Sequence, residues 1–128
     1  MSSDEQSVFL VITARRTSRV VGYIQLTRID PWHGHAELGI CLTPESRGRG
    51  YGREALQLME DYGGAVLGLR KIHLRALAHH APAVGLYRST GYRAVGTLRG
   101  HFRHGGTWHD VVLMEKQVGG PPRSKSRG

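Results

Sequence analysis

Pro44-Glu45-Ser46-Arg47-Gly48-Arg49-Gly50-Tyr51-Gly52-Arg53-Glu54 follows an apolar run over residues 38–42 and opens a helical pattern that continues through Ala55, Leu56, Met59 and Tyr62. The stretch therefore reads as the end of a strand, a turn and the start of a helix. Glycines at 48, 50 and 52 let the backbone curl tightly, and their missing side chains let its N–H groups come close to a ligand. Helix N-termini hold unpaired N–H donors and partial positive charge, and Arg47 and Arg49 add full charges beside them. The ligand implied is an anion, with pyrophosphate the natural choice. A tight strand-to-helix turn also uses glycine with no ligand at all, so the spacing alone leaves both readings open.

Two familiar phosphate loops do not fit. No Lys-Ser or Lys-Thr pair follows the last glycine, as an NTP-binding P-loop requires. Gly48, Gly50 and Gly52 run into Arg53 and Glu54, which departs from the dinucleotide spacing G-x-G-x-x-G.

Outward from this turn the chain alternates elements. Residues 8–12 are apolar on both parities, as expected of a strand covered on both faces. Polar residues 15–19 make a turn, and residues 20–26 return as the second arm of a hairpin. The segment Ile29-Asp30-Pro31-Trp32-His33-Gly34 breaks the pattern. A third strand over residues 35–42 puts Ala36, Leu38, Ile40 and Leu42 on one face and Glu37, Gly39 and Cys41 on the other. The helix after the glycine turn is predicted to reach about Leu67, with Gly68 as its left-handed stop and Gly63 and Gly64 weakening its last turns. A strand over 72–76, a short helix entered at Pro82 and ended at Gly91, and two strands over 92–102 and 108–115 joined by His104-Gly105-Gly106-Thr107 complete the order. The fold class is α/β, a mixed sheet antiparallel on its N-terminal side, with a central glycine-loop helix, a parallel crossover and a C-terminal hairpin.

At 128 residues the chain makes one domain, read as 1–117, with a basic Gly/Pro tail over 118–128 predicted to be disordered. The net charge is +8, of which three come from Arg123, Lys125 and Arg127 in that tail. Such a surface favours anionic partners: a phosphate-rich cofactor, nucleic acid or the ribosome. No apolar run reaches membrane-spanning length, and the N-terminus lacks the layout of a signal peptide. With one cysteine, Cys41, no internal disulfide can form, and the expected compartment is the reducing cytoplasm. A strand cysteine is expected to be a small buried apolar residue. Eight histidines invite a metal reading, but no Cys or paired carboxylate completes a ligand set, so no metal is expected.

The pattern Arg47-x-x-Gly50-x-Gly52 resembles the acetyl-CoA pyrophosphate loop of the GNAT superfamily of N-acetyltransferases. Further pieces fall in the family's order: Val21-Gly22-Tyr23-Ile24 is similar to its central hairpin strand, and Ala36-Glu37-Leu38-Gly39-Ile40 to its acceptor-side strand. Leu86-Tyr87-Arg88-Ser89-Thr90-Gly91-Tyr92 resembles the Leu-Tyr-x-x-x-Gly-Phe/Tyr signature of its last helix. Within the superfamily, Trp108-His109-Asp110-Val111-Val112-Leu113-Met114 looks most like the group of ribosomal-protein, spermidine and small-amine acetyltransferases.

The resemblance implies acetyl-CoA as acyl donor, an amine acceptor and direct transfer. It places the pyrophosphate on Arg47, Gly48, Arg49, Gly50, Tyr51 and Gly52, and the pantetheine arm along the backbone of Ile40, Cys41 and Leu42, where an N–H would also stabilise the oxyanion. His80 stands where the group has an asparagine that hydrogen-bonds the pantetheine arm; a neutral imidazole also offers one donor and one acceptor. An alkyl amine with pKa near about 10.4 is almost wholly protonated at pH 7, so a base is needed. Glu37, the acid of the third strand, is the candidate base, and Tyr87 matches the family's general acid for the leaving thiolate. Either residue also has a purely structural reading, Glu37 as an exposed strand acid and Tyr87 as core filling. The family opens with a further strand and helices, and this sequence begins at what resembles the second strand, which implies uncovered apolar sheet near residues 8–12 and a homodimer or a contact with another chain. Two other functions compete: a non-catalytic acyl-CoA-binding module, and a basic ribosome- or RNA-associated protein.

Overall fold

The computed structural model describes residues 6–119. In chain order the elements are β1 (Gln6–Thr13), β2 (Val20–Asp30), β3 (His35–Leu42), a 3-10 turn (Pro44–Ser46), α1 (Tyr51–Ala65), β4 (Lys71–Leu77), α2 (Ala81–Ser89), β5 (Arg93–His104) and β6 (Thr107–Gln117). The strands hydrogen-bond in the order β1-β2-β3-β4-β6-β5, a mostly antiparallel open sheet accompanied by two helices. The chain divides into two compact units, residues 6–72 with 117–119, and His73–Lys116.

In the first unit β1, β2 and β3 form an antiparallel meander in which Leu10 faces Ile24 and Ile24 faces Ile40. One side of this meander is buried through Ile24, Leu26, Ala36 and Leu38. The α1 residues Gly52, Ala55, Leu56, Met59, Glu60 and Gly63 are buried at helical spacing, giving the helix one inward stripe. A side chain at Gly63 would press on Leu69 at 3.3 Å and on Ile72 and Leu26 just beyond, so this glycine is set by packing. Gly64 lies equally close to the backbone of Val118 and Gly119, and the Val118 N–H donates to the Arg70 carbonyl at 2.9 Å. Of the segment 118–128 predicted to be a disordered tail, these two residues are held against α1, and 120–128 lie outside the described residues.

Three sequence expectations are corrected here. The 8–12 strand is not covered on both faces: Phe9, Leu10 and Val11 are 58%, 47% and 56% exposed, because β1 is the edge of the sheet among the described residues. β2 does not stop before Ile29 but runs to Asp30, through a bulge that shifts register between Thr27 and Asp30. Helix α1 ends at Ala65, short of Leu67, because the Leu69 N–H turns back to the Gly63 carbonyl and Gly68 takes φ 71°. The tight turn after β2 is held by Asp30, whose carboxylate accepts the His33 N–H at 3.0 Å and meets His33 Nδ1 at 2.9 Å. Those bonds lower the Asp30 pKa from its usual 3.8.

In the second unit Leu74, Tyr87, Tyr92, Val111, Val112 and Met114 are buried. The β5–β6 hairpin turns at Gly105 and Gly106, both with positive φ of 60° and 79°, as a two-residue turn between right-twisted strands demands. A bulge between Leu98 and Phe102 is held by the Asp110 carboxylate, which accepts the Gly100 N–H at 2.8 Å.

Candidate active site

Strand β3, the 3-10 turn and the first residues of α1 form one continuous path in the first unit, and most of the expected site residues lie on it. The path is fixed at its bend. The Thr43 N–H donates to the Val21 carbonyl at 2.9 Å, and the Thr43 hydroxyl donates to the buried Ser46 Oγ at 2.7 Å. Gly22 faces Leu42 in the ladder, and a Cβ there would collide with the Cys41 carbonyl, so β2 leaves no room for a side chain beside the expected pantetheine segment. Sequence reading missed the Thr43–Ser46 clasp, although a Thr-Pro pair after a strand is a signal for such a turn.

Beyond Ser46 the backbone is open. Gly48 and Gly50 take φ of 76° and 90°, conformations that L side chains rarely adopt, and the space where their side chains would stand is empty. Gly50 precedes α1 without any side-chain cap, and the first helical bond is Glu54 N–H to Gly50 carbonyl at 3.1 Å. The N–H groups of Tyr51, Gly52 and Arg53 thus lack intrahelical acceptors. Arg47 and Arg49 are exposed beside them, with Arg49 Nε anchored to the Glu45 carbonyl at 3.1 Å. Uncapped donors, two left-handed glycines with free space and two arginines are what a diphosphate requires, so these residues fit the phosphate end of an acyl-CoA.

Glu37 occupies the same side of β3 as Cys41, facing Thr27 across the ladder, opposite the buried Ala36 and Leu38. Its carboxylate Oε1 lies 3.4 Å from Arg28 Nε, and the two side chains are 15% and 70% exposed. Arg28 was not anticipated from the sequence. Cys41 is exposed, against the expectation of a buried apolar residue, because its side of β3 carries no helix α1 packing.

The remaining two expected residues belong to the second unit, one just before α2 and one within it. His80 is the residue before α2; its N–H donates to the Leu77 carbonyl at 3.0 Å and its carbonyl accepts the Val84 N–H at 3.1 Å, leaving the half-buried imidazole uninvolved in capping. Tyr87 is the one buried residue of α2 and packs edge-to-face on Tyr92 at 5.9 Å between ring centroids. Burial raises its pKa above the usual 10.0, so its phenol keeps the proton at neutral pH. The C-terminal end of α2 is secured by Lys116, which donates to the Thr90 carbonyl at 2.7 Å. Among the described residues no three His, Cys, Asp or Glu side chains could hold a metal ion, and no helix is long and apolar enough to cross a membrane.

A strand ending in a glycine-arginine turn that launches a helix, followed by a strand and a second helix bearing a buried tyrosine, is the succession of elements the chain presents. Residues 1–92 match the acetyltransferase (GNAT) family, and the chain belongs to it. Spermidine N(1)-acetyltransferase of Vibrio cholerae is 32% identical over 106 residues, 83% of this chain and 60% of that protein. The N-alpha-acetyltransferase RimI of Mycobacterium tuberculosis is 31% identical over 114 residues, 86% of this chain and 67% of its own length. The crystal structure of spermidine N-acetyltransferase from Vibrio cholerae in complex with CoA and spermine superposes with a TM-score of 0.82 at 29% identity, over 91% of this chain and 68% of that one. The chain spans between 50% and 60% of the length of the spermidine acetyltransferases it matches.

Proposed function

We propose that this protein is an N-acetyltransferase that uses acetyl-CoA to acetylate a primary amine by direct attack. The observation that carries the reading is the uncapped, glycine-lined start of α1 flanked by Arg47 and Arg49, in a chain of the GNAT family. Acetyl-CoA supplies the activated acetyl thioester. Arg47, Gly48, Arg49, Gly50, Tyr51 and Gly52 would hold its phosphates, and the backbone of Ile40, Cys41 and Leu42 together with His80 its pantetheine arm.

The chain's own groups then divide the proton work. Glu37 takes a proton from the amine, directly or through a water, because an ammonium has no lone pair with which to attack. Tyr87 keeps its proton on Oη at neutral pH and is therefore able to donate it to a leaving thiolate. No metal is assigned to either step. The names of the relatives, a spermidine N(1)-acetyltransferase and an N-alpha-acetyltransferase, support an amine as the acceptor class. A homodimer through β1 and a cytoplasmic location belong to the same proposal, supported by the exposed apolar edge and the single free thiol.

The test is thermal. Coenzyme A at a hundred times its dissociation constant should add about 2.7 kcal/mol of stability. An unchanged melting temperature under saturating CoA overturns the reading, and binding without any acetylation across an amine panel points instead to a binding module.

A further inference from the structure

We propose that Arg28 selects the acceptor: it disfavours polycationic amines at Glu37 and favours an amine carrying a carboxylate near the reacting nitrogen. The inference rests on Glu37 as the proton acceptor of the proposed reaction. It begins from a backbone outlier. In the β2–β3 ladder Thr27 faces Glu37 and Asp30 faces His35, so Arg28 and Ile29 together stand against Ala36. Ile29 is buried, as Leu26 is, and the surplus residue is Arg28, with φ 51°. In an unbroken strand Arg28 would share the side of Leu26. The bulge re-aims it to the side of Thr27, where its guanidinium Nε lies 3.4 Å from Glu37 Oε1.

A left-handed backbone favours glycine, and a long side chain is held there against that preference. Stability does not account for it, since an ion pair with one partner 70% exposed adds little to folding. What the arrangement does add is a fixed cation at the carboxylate that an incoming amine must reach. On that side of β2 Gln25 and Thr27 carry no charge, and the carboxylate of Asp30, the next residue there, is taken up by the His33 N–H and ring. A polyamine would bring a second positive charge against Arg28, whereas a carboxylate on the acceptor would complete the fork of the guanidinium. Such an acceptor also suits the chemistry: a peptide α-amine, with pKa near about 8, is more often neutral at pH 7 than an alkyl amine near about 10.4.

Calorimetry on the CoA-saturated chain with two probes, spermidine and the dipeptide alanylglutamate, tests the proposal. Native protein should bind alanylglutamate more tightly, and Arg28→Gln should shift the affinity ratio at least tenfold towards spermidine. An unchanged ratio, including no binding of either probe to either chain, overturns it. Arg28→Gly should give the same shift with a higher melting temperature, since the backbone strain is relieved; a lower melting temperature would assign Arg28 a structural role instead. Glu37→Gln separates this inference from the reading beneath it. Undiminished turnover in that variant overturns Glu37 as the base, whereas an unchanged preference in Arg28→Gln overturns selection by Arg28.

Discussion

Tyr87 carries its burial and its proposed chemistry on different atoms, so a single oxygen separates them. Tyr87→Phe keeps the ring against Tyr92 and should leave stability at neutral pH nearly unchanged, while turnover falls by about 10²–10⁴-fold if the hydroxyl is the acid. Tyr87→Ala should cost about 3 kcal/mol or more through the cavity it leaves. Near-native acetylation by the Phe variant would remove the acid assignment. The raised pKa has its own consequence at high pH. The folded chain holds the phenolic proton where the unfolded chain has lost it, so stability present below pH 10.0 is lost as pH rises through the folded value. Denaturation followed from pH 9 upward should show that loss in the native protein and a smaller one in Tyr87→Phe. Asp30 works at the opposite end: its lowered pKa contributes stability above 3.8 that is lost as pH falls through the folded value. Tyr87 was legible because its helix repeats a known signature around it. Arg28 was not, because a bulge is a two-against-one mismatch between strands, and a single strand's alternation contains no record of its partner's count.

Among the elements, the turn into α1 and both helices were legible from glycine placement and apolar spacing, and β3 was read with its bounds. The errors fell at ends decided by partners elsewhere. β2 continues past Leu26 because β3 pairs with it as far as Asp30, and α1 stops early because Leu69 turns back onto Gly63. Two glycines with similar helix cost consequently predict opposite outcomes. Gly85→Ala meets nothing within 4 Å and should stabilise by about 0.4–1 kcal/mol, whereas Gly63→Leu must displace Leu69 and should destabilise by about 1–3 kcal/mol. Urea melts of the two variants decide it; a stabilised Gly63→Leu would contradict the packing described for α1. Gly50→Val concerns the other end of the same helix. Its φ of 90° makes any side chain costly before ligand is considered, so the quantity to compare is the CoA-induced rise in melting temperature. That rise should vanish; a full rise would place the phosphates elsewhere.

For the molecule as a whole, charge and exposed apolar surface pull in different directions. A net charge of +8 resists association, while Phe9, Leu10, Val11 and Val20 on and beside the sheet edge favour it. The periodicity of residues 8–12 indicated burial on both sides, whereas among the described residues β1 is an exposed edge. A run apolar on both parities looks the same whether a partner covers it within the chain or outside it. If two copies pair through β1, the mass measured by light scattering should rise with concentration, and Val11→Lys should hold the chain monomeric. A native chain that is monomeric throughout the range would count against the dimer.

The exposed position of Cys41 makes a reporter of the protein as it stands. It is the chain's single cysteine and sits at the C-terminal end of β3, within the segment proposed to accompany the pantetheine arm. A maleimide fluorophore should therefore attach at one place without mutagenesis. The rate of that labelling, slowed by desulfo-CoA, which has no thiol of its own to consume the reagent, and restored by its dilution, would time the occupancy of the site.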